Sequence, residues 1–257
     1  MKNLYDIIWL EEVDSTNNEA KRRLSDLDNM SVLSALSQSC GRGQAGNSWC
    51  SDKGMNLTFS IVLKSGPESC LNLKACRQFV ISECASLAVV DLLEKYGIHA
   101  QIKWPNDIYV ENRKVCGILI ENALMGSVIS SSIIGIGLNI NQRNFNVNLP
   151  NPTSMVLSGA ESMDIQQCLE EFMDIFKAYV ERYLHIKGGY AKIRKMYLAQ
   201  IWKMDVPAEY IDYKSDTEGR RFTGVIKGIS DVGLLLVKDN DSGDIQEYGF
   251  KEIGYIL

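Results

Sequence analysis

Between Gln101 and Asn141 the chain breaks into short β-rich runs with tight punctuation, and this pattern limits the fold more than any other feature. QIKW is followed by Pro105-Asn106-Asp107, then IYV, Glu111-Asn112-Arg113, KVCGILIENAL, Met125-Gly126 and SVISSSIIGIGLNIN. Runs this short, rich in Ile and Val and bounded by turn formers, pair as neighbours in sequence. A helical bundle is excluded, and a sheet built largely from hairpins is expected. Further strands are predicted over residues 4–10, 32–38 and 56–64.

Helical spacing flanks this sheet. Asp14-Ser15-Thr16-Asn17 are N-cap residue types, and Ala20, Leu24 and Leu27 fall on one face after them. Leu73, Cys76, Val80, Cys84, Leu87 and Leu92 predict a long buried helix over residues 71–96, and residues 165–183 and 190–202 also read as helices. After Trp202 the helical period is lost. Residues 208–213, 221–229, 233–238, 245–250 and 253–257 are five short strand candidates separated by SDTEG, SDVG and DNDSGD. Such a tail reads as a small barrel of its own, with the boundary near residue 204. The expected organisation is therefore 1–204 and 205–257, an α+β chain.

Composition narrows the function classes. With 257 residues, 46% of them apolar, the chain can bury a real core, so disorder is excluded as its main state. A formal net charge of −5 gives no overall positive field to hold nucleic acid. No apolar run approaches the ~20 residues of a membrane span, and the N-terminus lacks an apolar leader, so the expected location is the cytoplasm. The seven cysteines form no CxxC pair and only two histidines accompany them, which argues against a structural zinc site or a disulfide framework. They are expected to be reduced thiols.

Three polar constellations stand out. Gln38 leads into Cys40-Gly41-Arg42-Gly43-Gln44-Ala45-Gly46-Asn47-Ser48-Trp49, where the glycines forbid regular structure and predict a mobile loop. An arginine between glycines can lay its guanidinium on an anion that backbone N–H groups also reach, although a bland surface loop has the same composition. No GK[ST] or GxGxxG is present, so neither a Walker A loop nor a dinucleotide fold is indicated. In Lys103-Trp104-Pro105-Asn106-Asp107 the last two residues sit at a strand end, as ligands or as plain turn formers. Lys114 lies seven residues beyond Asp107, towards the other end of the expected hairpin, so the hairpin alone is not expected to bring them together. Finally, Gly135 and Gly137 leave one strand face bare, as a seat for a flat ligand or for close packing.

Taken in order, DSTN at 14–17, SQSCGRGQAGNSW at 37–49, KWPNDIYVENRKVCGILIE at 103–121 and GIGLNIN at 135–141 resemble the biotin protein ligases, the biotin-[acetyl-CoA-carboxylase] ligases. That resemblance implies a class II aminoacyl-tRNA synthetase/biotin ligase-like mixed sheet with flanking helices, followed by a small SH3-like β-barrel. It implies ATP and magnesium as cofactors and biotin as substrate. Biotin attacks the α-phosphate to give biotinyl-5'-AMP, and a lysine of a biotin carboxyl carrier domain then takes the biotin. By the same resemblance Ser15, Thr16, Asn17, Gln38, Arg42, Gly43, Gln44 and Lys114 bind biotin, with Gly117 and Gly135 framing its slot. Trp49, Lys103, Asn106, Asp107 and Asn139 fall near the nucleotide, Asp107 being the possible magnesium ligand. Arg42 and Lys114 are the catalytic cations, stabilising charge on the α-phosphate. Two departures from relatives, Gln44 and Ala45 in place of arginines and a C-terminus without one, reduce the cations offered to phosphates. Some relatives carry an N-terminal helix-turn-helix and act as repressors. A first strand at residue 4 leaves no room for one, so no DNA partner is expected, nor a membrane, and the assembly is expected to be a monomer or a homodimer. The rival readings are a lipoate or octanoate ligase or transferase on the same fold, and a non-catalytic biotin or nucleotide sensor.

Overall fold

The computed structural model describes residues 5–66, 69, 71, 73–184, 188–214 and 218–256. Leu4, Cys70, His185, the Ser215–Thr217 part of the expected SDTEG turn and Leu257 lie outside these residues, as does the side chain of Ala45. Twelve strands and four α-helices are described, and the fold is the expected one: a mixed sheet with flanking helices, then a smaller antiparallel sheet.

The chain opens with β1 (Ile7–Val13), α1 (Thr16–Arg22) and β2 (Val32–Gln38), and β1 and β2 pair in parallel across the helix. Then come β3 (Leu57–Lys64), α2 (Phe79–Lys95), β4 (Gln101–Lys103), β5 (Asp107–Val110), β6 (Arg113–Met125) and β7 (Val128–Leu138). The seven strands lie in the order β1-β2-β3-β7-β6-β5-β4, and every other neighbour pair is antiparallel. α2 starts eight residues later than expected. Leu71 and Leu73 are fully buried but alternate rather than spiral, and Lys74 bridges Val128 at the tip of the β6–β7 hairpin. The local apolar spacing was compatible with both periods, and pairing to the hairpin decided it.

α3 (Ile165–Tyr183) and α4 (Gly189–Ala199) pack with α2 on the core side of the sheet, where Phe172 meets Phe59 edge-on and stacks on Phe176. The smaller sheet holds β8 (Pro207–Asp212), β9 (Arg220–Ile229), β10 (Leu235–Asp239), β11 (Ile245–Tyr248) and β12 (Ile253–Tyr255), ordered β11-β10-β9-β8-β12. One continuous apolar cluster runs from Leu57 and Leu87 through Tyr197 and Ile201 to Tyr210 and Tyr248, so the two sheets share a core. Among the described residues no helix is long and apolar enough to cross a membrane.

Polar contacts fix the smaller sheet against the larger. Trp104 Nε1 donates to Gly233 O at 2.9 Å, and Arg194 Nη1 donates to Ile229 O and Ser230 O at 3.1 and 2.7 Å. The Arg194 guanidinium also pairs with Glu83, a carboxylate only 1% exposed on α2. Burial pushes the Glu83 carboxyl up, and the arginine opposes that shift. Arg194→Met should therefore destabilise the fold by about 3–5 kcal/mol at neutral pH, because it strands a buried charge. Without its partner Glu83 favours the protonated form in the folded state, so stability falls as pH rises above the ordinary unfolded carboxyl value of ~4.3. Denaturant melts at pH 4 and pH 7 should show the larger loss at pH 7, and an equal loss at both would contradict this account.

Candidate active site

A cleft lies over the middle of the larger sheet, and its floor is made by absent side chains. Gly117 pairs with Gly137 across β6 and β7, and Leu119 pairs with Gly135. Directly paired residues share a face, so Gly117, Gly135 and Gly137 form one bare strip. The chain's own groups rest on it. A Cβ at Gly135 would overlap the Asn17 amide, one at Gly137 would overlap the Trp49 indole, and one at Gly117 would stand 3.2 Å from Lys114 Cε. The flat group seated on the glycines is thus the Trp49 ring. With it there the cleft keeps about 130 Å³, below the ~300–1,000 Å³ usual for a small-molecule site. Trp49 Nε1 and Gln44 Oε1 are buried without a hydrogen-bond partner among the described residues, which is costly unless a ligand supplies one.

At one end of the strip, residues from the start of α1 meet β2 and β3. Ser15, Thr16 and Asn17 are buried, as the cap-type residues of a helix that begins on the sheet surface. Thr16 donates to Gln38 Oε1 from its backbone N at 2.8 Å and its hydroxyl at 3.2 Å. Ser60 donates to Asn17 Oδ1 at 2.6 Å, and Asn17 Nδ2 donates to Glu121 at 2.9 Å. Both faces of the Asn17 amide are therefore committed.

Lys114 and Asp107 stand at the other end, with Nζ and Oδ1 2.6 Å apart. The hairpin alone was not expected to bring them together, and the side chain of the lysine closes the gap. Asp107 pairs with Gly117, the register shifts at Ile108/Tyr109, and the missing side chain at Gly117 lets the lysine stem fold back along its own strand. Hydrogen bonds from Lys114 N to Asn151 O (2.7 Å) and from Thr153 N to Lys114 O (2.9 Å) fix the strand from which it reaches. Asn106 closes the strand end, donating to Ile118 O at 2.7 Å and accepting from Ile118 N at 2.9 Å.

The glycine loop between these ends has more structure than its composition suggested. Gln44–Gly46 make a single 3-10 turn, Arg42 bridges Ser48, and Gly43 N donates to Asn47 O at 2.7 Å. Arg42 meets Glu121 through two bonds of 2.9 and 3.0 Å and Asn18 Oδ1 through a third of 2.9 Å. Burial works to raise the Glu121 carboxyl, but the Asn17 amide and the Arg42 guanidinium outweigh it and hold it below the ordinary carboxylate value.

Ser15, Thr16, Asn17, Gln38, Arg42, Gly43, Gln44, Trp49, Asn106, Asp107, Lys114, Gly117 and Gly135 thus share one cleft. Lys103 and Asn139 do not line it. Lys103 Nζ donates to Tyr109 Oη at 3.0 Å and lies over the Tyr109 and Tyr255 rings at 4.8 and 4.9 Å. Asn139 is buried beside the cleft with Nδ2 donating to Thr153 O at 2.9 Å, while its Oδ1 has no partner among the described residues. Two contributors went unnoticed in the sequence. Glu121 was visible only as the closing letter of the 103–121 motif, inside β6, and Phe250, from the turn before β12, lines the cleft across the interface between sheets. Cys116 lies behind the floor with its thiol pushed up by burial, so it is no nucleophile. No group of three His, Cys, Asp or Glu side chains able to hold a metal occurs among the described residues.

Residues 9–139 match the Biotin/lipoate A/B protein ligase family. The chain is 31% identical to the Bifunctional ligase/repressor BirA of Escherichia coli over 90% of its own length and 68% of that protein's. It is 28% identical to the Biotin--[acetyl-CoA-carboxylase] ligase of Paracoccus denitrificans, covering 89% of this chain and 92% of that one. The biotin protein ligase of Aquifex aeolicus, solved in complex with biotin and ATP, has the same fold, with a TM-score of 0.76, 24% identity and 97% of each chain covered. The chain spans about three fifths of the length of some curated relatives it matches.

Proposed function

This chain belongs to the Biotin/lipoate A/B protein ligase family, and from that premise we propose that it is an ATP-dependent, AMP-forming biotin protein ligase acting in the cytoplasm. The observation that carries the reading is the glycine strip with a polar, fully committed network at one end and a lysine at the other. A bicyclic ring with a ureido group and a carboxylate tail matches such a slot: an apolar body, a few oriented polar contacts and a cation for the tail. Trp49 leaves the strip when biotin enters, and its indole becomes a wall for the adenylate. The unpartnered Gln44 Oε1 and Trp49 Nε1 then gain partners. The loop closes over the mixed anhydride and keeps water from it.

In the first step a biotin carboxylate oxygen bonds to the α-phosphorus as the bond to the pyrophosphate oxygen breaks. Lys114 Nζ sits between tail and phosphate and stabilises the charge that both contribute, with Arg42 on the opposite wall. In the second step an acceptor lysine amine attacks the biotinyl carbonyl, AMP leaves, and the amine loses its proton. Asp107 offers the one carboxylate that a magnesium ion arriving on nucleotide phosphates would need, which fits a cation that keeps most of its ligands as water and phosphate. Such an ion supplies charge neutralisation at the phosphates. Asn106 shapes the adjacent loop, and Lys103 and Asn139 support the nucleotide side from behind. We take 1–204 as the catalytic domain and 205–257 as the SH3-like domain, which orders the site or docks the carboxyl carrier. DNA and membrane are not partners in this reading, and the assembly is a monomer or a homodimer.

The test is incubation with biotin, ATP, magnesium and a biotin carboxyl carrier domain, followed by intact mass measurement. A gain of one biotin on the carrier is expected. A gain only when lipoate or octanoate and a lipoyl domain replace them would move the protein to the neighbouring branch of its family, and no gain with any pair would refute catalysis.

A further inference from the structure

We infer that Glu121 is a positioning residue for the reaction, orienting Arg42 and Asn17 through one carboxylate. The inference rests on the biotin reading of the cleft and names the group that couples its Asn17 end to the glycine loop. Arg42 projects from a glycine-flanked loop with 38% of its side chain exposed, and nothing in such a loop fixes the plane of a guanidinium. Glu121 does so from β6, the strand that also carries Lys114 and Gly117. Its two oxygens take Nη1 and Nη2 at 2.9 and 3.0 Å, the planar fork that only an arginine and a carboxylate make. Oε2 also accepts from Asn17 Nδ2 at 2.9 Å, and Asn17 Oδ1 accepts from Ser60.

The arithmetic of donors shows what remains for substrate. A guanidinium has five N–H groups. Two are committed to Glu121 and one to Asn18, leaving Nε–H and one Nη2–H to meet an anion. Because Glu121 cancels the charge, Arg42 acts through these directed bonds rather than as a point charge, and its orientation decides whether they reach. A second consequence concerns Asn17. With Nδ2 held by Glu121, its Oδ1 can face only the strip, so one carboxylate fixes which end of that amide a ring substituent meets.

Glu121→Gln keeps the volume and one acceptor but cannot accept both guanidinium nitrogens. Biotin KM should rise about tenfold while ATP KM stays within about twofold, and the melting curve should not move. A merely structural role would shift the melting curve or both KM values together. The decisive measurement is a double-mutant cycle with Arg42→Ala: because Glu121 acts partly through Arg42, Glu121→Gln should add well under its tenfold to biotin KM in that background, the remainder being the share exerted through Asn17. Nitrogen NMR of the Arg42 side chain, which needs no substrate, should give separate Nη signals in the native protein and merged ones in Glu121→Gln. An unchanged biotin KM, or penalties that multiply in the double variant, would overturn the inference alone. A native protein that neither binds nor activates biotin would overturn the parent reading and this inference with it.

Discussion

Lys114→Ala is expected to cut biotinyl-adenylate formation by about 10²–10³-fold, the usual loss when one directed charge at a developing anion is removed, and to leave the melting curve in place. The side chain is 32% exposed and rests on Gly117 rather than in the core, so little packing goes with it. Asp107, at 22% exposure, keeps access to water once its partner is gone. Biotin-dependent pyrophosphate release measures the first step, and calorimetry of biotin alone separates rate from affinity. A variant that forms adenylate at the native rate with native biotin affinity would make Lys114 a structural residue and the mechanism above wrong.

Gly233→Val is expected to cost about 10²-fold in biotin transfer although every motif read from the sequence lies before residue 142, because small displacements of a site are felt this strongly. Gly233 sits at φ +97°, which a branched side chain cannot adopt without strain, and a Cβ there would stand 2.5 Å from the Phe79 ring. The turn must lift, and Trp104 Nε1 then loses its acceptor. Trp104 leads directly into Pro105, Asn106 and Asp107, while Phe250, in the turn between β11 and β12, lines the cleft. Removing residues 205–257 should act in the same direction. Steady-state transfer to a carrier domain, with circular dichroism as a check of folding, tests this. Native activity in a folded variant would reduce the second sheet to an appendage.

Much of this architecture was legible because its signals are local. The hairpins from β4 to β7 carry their own turns, α3 begins and ends where its period does, and the second sheet starts where the period fails. What escaped was whatever depends on a side chain's direction rather than its place. Lys114 and Asp107 looked separated because strand spacing counts Cα positions, whereas a lysine stem running back over a glycine covers the gap. Glu121 is one polar letter inside the run of β6, and only the path of the glycine loop back to that strand makes it the partner of Arg42, 79 residues away. Phe250 had no local signal, since its role arises where two sheets meet. Lys103, beside the Trp-Pro-Asn-Asp turn, lies over the Tyr109 and Tyr255 rings, a direction that its place in the sequence does not give.

The two cations at the cleft, Arg42 and Lys114, each arrive already matched, one by Glu121 and the other by Asp107. Their fields cancel within a few ångströms, well inside the ~8 Å over which physiological salt screens a charge. These two pairs therefore offer an approaching carboxylate or triphosphate little attraction until it is close enough to exchange partners. Encounter with substrate gains nothing from them at a distance, and raising the salt should not slow it, unlike encounter at a site which draws its anions in from afar.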